Sequence, residues 1–174
     1  MEIDRTVPPL LQEGARMVGI ITAFTIALKA AVDAHPRAAE LHDCIPGIRQ
    51  AARADLGKFD GQPGFDGIEA AIGDFEQMLS GSARPHGRRV EAPEVPMPLD
   101  VAAGRMVGTA QALLVALTIT VESNPRAAKL RGRLDEIREV AIVTVIGSDV
   151  EENVFDGIDY VMDELDDMLP PASA

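Results

Sequence analysis

Two stretches of this chain, Gly14–Leu41 and Ala103–Leu130, carry nearly the same sequence at an offset of 89 positions. The first reads GARMVGIITAFTIALKAAVDAHPRAAEL and the second reads AGRMVGTAQALLVALTITVESNPRAAKL. Further along, FDGIEAAIGDFEQML at Phe65–Leu79 aligns with FDGIDYVMDELDDML at Phe155–Leu169, at an offset of 90. Similarity at a nearly fixed offset over most of a chain is typical of repeated architecture. The sequence therefore predicts a tandem duplication.

The alignment divides the chain into a first repeat at 7–80, a linker at 81–98 and a second repeat at 99–170. Four prolines, together with Gly and Ser, make the linker an extended connection. A repeat of about 75 residues is close to the lower limit for an independent hydrophobic core. We therefore expect the two repeats to share one core about a pseudo-two-fold axis, as the subunits of a homodimer would.

The composition predicts an all-α fold. Hydrophobic residues make up 47% of the chain, aromatic residues only 3%, and tryptophan is absent. A core of Ala, Val, Leu, Ile and Met is more typical of packed helices than of sheets. Helical periodicity predicts three helices in each repeat and hence a bundle of six helices. The expected ranges are 11–34, 36–57 and 65–79 in the first repeat, and 100–123, 125–147 and 154–169 in the second.

The middle helix of each repeat has a recognisable start. His35 and Asn124 occupy the predicted N-cap positions, and the prolines that follow them are well placed as first helical residues. Pro46-Gly47 should split the middle helix of the first repeat. The second repeat has Asp135-Glu136 at the aligned positions, so we expect its middle helix to run on without a break.

Each first helix carries a row of small residues at i, i+4 and i+8, which lets another backbone approach closely. We predict that these rows serve packing between the repeats, with the two first helices as the favoured partners. The alternative is that the rows receive large side chains from the third helices. The residues concerned are Gly19, Ala23 and Ala27 in the first repeat and Gly108, Ala112 and Ala116 in the second.

The charge is strongly negative and unevenly distributed. The formal net charge is −12, and residues 90–174 contribute −10 of it, with 6 Lys and Arg against 16 Asp and Glu. Such a chain opposes binding to nucleic-acid phosphates or anionic lipid. The uncharged stretches Val18–Leu28 and Val107–Val121 are shorter than a spanning helix of about 18 residues. With one cysteine and no signal-peptide pattern, we expect a soluble cytoplasmic protein.

The last helix has an acidic face opposite its apolar face, and no basic residue occurs from Gly147 to the end of the chain. Two interpretations stay open: a docking surface for a basic partner, and a solvated face that only aids solubility. We take the first as the candidate site. The residues of this outer acidic face are Glu152, Asp156, Asp159, Asp163, Asp166 and Asp167.

Two arginines at aligned positions, Arg16 and Arg105, could bind an anionic ligand between the repeats. We favour structural ion pairs instead, with Asp66 and Asp156 as the aligned acceptors. A metal site at His35, His42 and Cys44 is not expected. The two histidines are about 10 Å apart along a helix, and the second repeat lacks them. We expect no cofactor.

The sequence specifies no chemistry, because it contains no nucleophile motif and no glycine-rich phosphate loop. We predict a non-enzymatic module that binds a protein partner with a basic surface, with homo-oligomerisation left open. A carrier of an apolar molecule is the main alternative, and a carboxylate-dependent enzyme ranks last. Four methionines could line the carrier's pocket: Met17, Met78, Met106 and Met168.

Overall fold

The computed structural model describes residues 9–81, 98–145 and 151–171, and within these ranges every regular element is helical. The predicted all-α class is therefore confirmed. Most of the predicted linker, and the predicted end of the last middle helix, lie outside the described residues. The α-helices of the described ranges are α1 (Pro9–Ala34), α2 (Ile45–Ala54), α3 (Gln62–Leu79), α4 (Leu99–Glu122), α5 (Leu134–Val145) and α6 (Glu151–Met168).

Both middle helices, α2 and α5, are preceded by a 3-10 segment, at Ala38–Cys44 and Ala127–Arg133. The predicted continuous helix in the second half is therefore wrong. Pro46 lies in the first turn of α2, but α5 begins after the same kind of segment without a proline. What the two segments share is a buried leucine, Leu41 at 2% exposure and Leu130 at 1%. A tight turn that buries this leucine accounts for the break in both halves.

The prediction that His35 and Asn124 cap the middle helices is wrong. The two residues instead close the turns that follow α1 and α4. Nδ1 of His35 accepts a hydrogen bond from the backbone N–H of Arg37 at 3.1 Å. Oδ1 of Asn124 accepts one from the N–H of Arg126 at 2.8 Å. Nε2 of His35 also lies 3.3 Å from Oγ of Ser123. This contact joins the C-terminal ends of α1 and α4.

The helices pack chiefly against partners from the other half of the chain. The most extensive contacts join α3 with α4 and α1 with α6, and α1 also packs against α4. Helices α2 and α5 lie outside, against α4 and α1 respectively. One continuous hydrophobic core results. Its fully buried side chains include Leu28, Ile48, Ile68, Leu117 and Ile158.

Glycines allow the closest of these helix contacts. A Cβ placed on Gly67 of α3 would lie 2.0 Å from the carbonyl oxygen of Arg105 in α4, and one on Gly157 of α6 would lie 2.1 Å from that of Arg16 in α1. No side chain fits at such a distance, so each pair of backbones is in direct contact. The aligned positions of the two halves thus make corresponding contacts.

The rows of small residues take part in the same contacts. Gly19 of α1 faces the backbone of Val154 in α6, and Gly108 of α4 faces that of Gly64 in α3. The predicted packing of the two rows against each other is therefore wrong for their glycines, which face α6 and α3. Helices α1 and α4 do pack against each other. The physical reason is that the partner helices bring glycines of their own to these contacts. The alanines of both rows are buried at 2% exposure or less.

Among the described residues, two helices are long and apolar enough to cross a membrane by length and composition alone. They are Gln12–Ala34, with a mean hydropathy of 1.7, and Leu99–Glu122, with 1.4. The core helix of a soluble protein passes the same test. Here both segments pack against each other and against the remaining helices, so their apolar character also serves the core.

Candidate partner-binding surface on helix α6

The sequence of α6 directs one face inward and the other to solvent. Val154, Ile158, Val161 and Leu165 recur at helical spacing and are at most 1% exposed. They pack α6 against α1, where Gly157 brings the two backbones into contact. The opposite side of the helix is left outside the core.

The outer acidic face lies on this opposite side. Its residues are exposed except Asp166, which is half-buried. Asp159 accepts a hydrogen bond from Nε of Arg138 in α5 at 2.7 Å. Asp166 pairs with Arg131, whose guanidinium also donates to the backbone oxygens of Asp166 and Leu169 at 2.9 and 3.0 Å. Arg131 therefore satisfies carbonyls at the C-terminus of α6 and offsets the unfavourable carboxylates in its last turn.

The other four carboxylates make no ion pair within the described parts of the chain. Glu152, Asp156, Asp163 and Asp167 are spaced at i, i+4, i+11 and i+15, so they follow one line along the helix. At 1.5 Å per residue this line is roughly 22 Å long. We call these four residues the acidic stripe.

Tyr160 lies at the centre of the acidic stripe, between Asp156 and Asp163, and sequence reasoning missed it. Its side chain is 40% exposed, and the guanidinium carbon of Arg16 lies 5.7 Å from the centre of its ring. Partial burial raises the pKa of the Tyr160 phenol, and the nearby Glu164 carboxylate raises it further. One signal was available: Tyr160 is the only tyrosine in the chain, and the aligned residue of the first half is Ala70.

The predicted ion pairs at Arg16 and Arg105 are not among those of the described residues. Arg16 lies over Tyr160 instead, and Asp66 accepts a hydrogen bond from Gln62 at 2.6 Å. A different aligned pair of arginines makes corresponding ion pairs between helices. Arg49 bonds Glu69, as Arg138 bonds Asp159, each with an Nε–oxygen distance of 2.7 Å.

Other site chemistries find little support in the described residues. No group of three or more His, Cys, Asp or Glu that could hold a metal ion occurs there. His35 is buried and hydrogen-bonded, whereas His42 is exposed. A groove of about 140 Å³ lies between α1 and α5, but none of the four methionines considered for a carrier pocket lines it.

Comparison with known proteins gives no information about what this surface binds. No protein-family model matches the chain, and no curated protein or solved structure matches it either.

Proposed function

We propose that this chain is a non-enzymatic, cytoplasmic protein-binding module that presents helix α6 to a partner with a basic surface. One observation carries the proposal: Glu152, Asp156, Asp163 and Asp167 lie in line, exposed and without ion pairs among the described residues, around a half-exposed tyrosine. Unpaired carboxylates attract a cationic surface from a distance and speed its approach.

The tyrosine gives this surface an anchor that a merely solubilising face does not need. Tyrosine is enriched among the residues that dominate binding energies in interfaces. The ring of Tyr160 already lies near a guanidinium, that of Arg16. An arginine of the partner can make the same kind of contact, which is worth about 0.5–1 kcal/mol at an exposed site.

We also infer that the chain arose by tandem duplication and that its halves are related by a pseudo-two-fold axis. The support is a set of corresponding contacts at aligned positions. Gly67 with Arg105 corresponds to Gly157 with Arg16. The 3-10 segments before α2 and α5 correspond as well. Under this proposal the acidic stripe is a specialisation of the second half.

The test of partner binding uses neutral replacements at three positions of the acidic stripe. In the variant Glu152→Gln/Asp163→Asn/Asp167→Gln the core face of α6 stays intact. Its binding to a fluorescein-labelled, Lys- and Arg-rich helical peptide should weaken roughly tenfold at low salt. Fluorescence anisotropy measures this affinity, and rising salt should weaken binding of the unmodified chain as well.

The control removes the same number of charges elsewhere, through Glu13→Gln/Asp43→Asn/Asp55→Asn in the exposed part of the first half. It should bind the peptide almost as well as the unmodified chain. Equal weakening in both variants would show that only net charge matters, and the proposal would then fail. A pull-down at low salt, repeated with both variants, extends the test to natural partners.

A further inference from the structure

Helix α5 exposes two large apolar side chains on the same face. Val140 is 42% exposed and Val143 is 63% exposed, and residues three apart are neighbours on a helix surface. The aligned residues of α2 are Ala51 and Ala54. The second half therefore enlarges an apolar surface that the first half keeps small.

The exposed valines continue into the groove between α5 and α1. Val140 lines this groove of about 140 Å³ together with Ile26, Ala30 and Ile137. Val143 lies one helical turn further along α5. The valines and the groove, which we call the valine face, present a depression beside a protruding apolar side chain.

Charged residues border the groove in compensating pairs. Lys29 bonds Asp33 on α1, and Arg133 bonds Glu136 beside it at 3.0 Å. Two cations and two anions leave this border without net charge. The hydrogen bond from Arg133 lowers the pKa of Glu136, so this carboxylate is charged at neutral pH.

The neutral border matters because the chain as a whole carries a charge of −12. Two copies of such a chain repel one another electrostatically in most relative orientations. Contact at the groove places two compensated ion pairs between the copies, so it adds no local repulsion of its own. It is also self-complementary: each copy offers both a groove and a protruding Val143, together with charges of both signs. A two-fold contact needs such self-complementarity.

We propose that the valine face is the contact between two copies of this chain, with their α5 helices antiparallel about a two-fold axis near Val140. Val143 of each copy then rests against the groove of the other. The lining of the groove contains no residue of α6. The dimer therefore keeps both acidic stripes available.

Sedimentation equilibrium of the full chain, from about 1 to 200 µM, tests the proposal. The average mass should rise from monomer to dimer with concentration. It should rise further with salt, because salt screens the repulsion between acidic copies. Val143→Asp should raise the dissociation constant roughly a hundredfold, since it buries an unpaired carboxylate in the contact. The matched change Ala54→Asp on α2 should leave the constant unchanged.

A second variant guards against a folding defect in Val143→Asp. Val140→Ala/Val143→Ala gives α5 the residues that α2 already carries, and it should weaken the dimer at least tenfold while circular dichroism stays unchanged. A monomer at every concentration and salt would overturn the proposal, as would a dimer that neither valine variant weakens. The opposite salt dependences of dimerisation and peptide binding keep the failure of one proposal distinct from that of the other.

Discussion

Helices α3 and α6 are alike on the inside and different on the outside. Each crosses the first helix of the other half at a glycine, Gly67 in α3 and Gly157 in α6. On the outer side, however, three acids of the α6 stripe align with uncharged residues of α3. Glu152 aligns with Gln62, Asp163 with Gly73 and Asp167 with Gln77, while Tyr160 takes the place of Ala70.

This difference separates what builds the fold from what distinguishes the two halves. The inner contact leaves no room for a side chain, so its geometry admits little variation. The carboxylates of the acidic stripe make no ion pair with another helix in the described part of the chain, so fewer contacts constrain these positions. The changes add acids and a tyrosine to only one half, which supports α6 as the proposed binding surface.

The largest effect should come from adding a methyl group at the two crossings. Gly67→Ala and Gly157→Ala should each lower the free energy of unfolding by roughly 3 kcal/mol, because the new Cβ can be placed only if the helices move apart. Gly73→Ala is the control on α3, where an added Cβ meets nothing within 4 Å. It should be neutral or stabilise by up to about 1 kcal/mol. Urea denaturation measures the stability of all three variants. Unequal losses of stability at Gly67 and Gly157 would show that the two crossings are not equivalent.

A smaller change in stability is expected from exchanging the residues that differ between the turns after α1 and α4. Ser123 donates to the carbonyl of Ile119 at 2.6 Å and lies 3.3 Å from Nε2 of His35. Nδ2 of Asn124 is buried without a hydrogen-bond partner among the described residues, and the residue aligned with Ser123 is Ala34.

Ala34→Ser should therefore stabilise the fold by about 1 kcal/mol, because it offers the buried Nδ2 of Asn124 an acceptor. Ser123→Ala should destabilise it by a similar amount. Thermal unfolding followed by circular dichroism reads both changes. A stabilising Ser123→Ala would show that the contact with His35 contributes nothing.

The smallest effect concerns the ion pair between α2 and α3. The hydrogen bond from Arg49 lowers the pKa of Glu69 below its ordinary value. A lowered pKa means that the contribution to stability is present above the unfolded-state pKa, near 4.3, and is lost as the pH falls through the folded-state pKa. The coupling energy of Arg49→Gln and Glu69→Gln should thus be under about 1 kcal/mol at pH 7.

A double-mutant cycle at pH 7 and pH 3 measures this coupling, which should approach zero at the lower pH. The same cycle on Arg138 and Asp159 should give a coupling energy at pH 7 within a few tenths of a kcal/mol of that for Arg49 and Glu69, if the two halves are equivalent. A coupling that persists unchanged at pH 3 would contradict the assignment to Glu69.

The helices themselves could be predicted because their signals are local. Apolar spacing gives the inner faces, and α5 is helical through Val145, within the range predicted for the second middle helix. The packing partners could not be predicted, since an apolar face does not specify which face covers it. Gly67 and Gly157, shared within the two FDGI runs, were the available signal for the actual crossings.

The acidic site shows the same limit. Helical spacing placed its carboxylates on one outer face, but it could not show that Arg138 and Arg131 neutralise two of them. Those arginines lie 21 and 35 residues away in sequence from their partners. Only the tertiary fold brings them together, and only then do the unpaired members stand out.

The pairing of α1 with α6 has a consequence for synthesis. Helix α1 finds its most extensive partner in α6, and Arg16 meets a glycine that is added 141 residues later. Until α6 emerges, a face of α1 that includes Gly19 and Ile20 remains uncovered. Folding of α1 onto its main partner must therefore wait until α6 has been synthesised, and a nascent chain that stalls before residue 151 exposes an apolar helix that chaperones can bind.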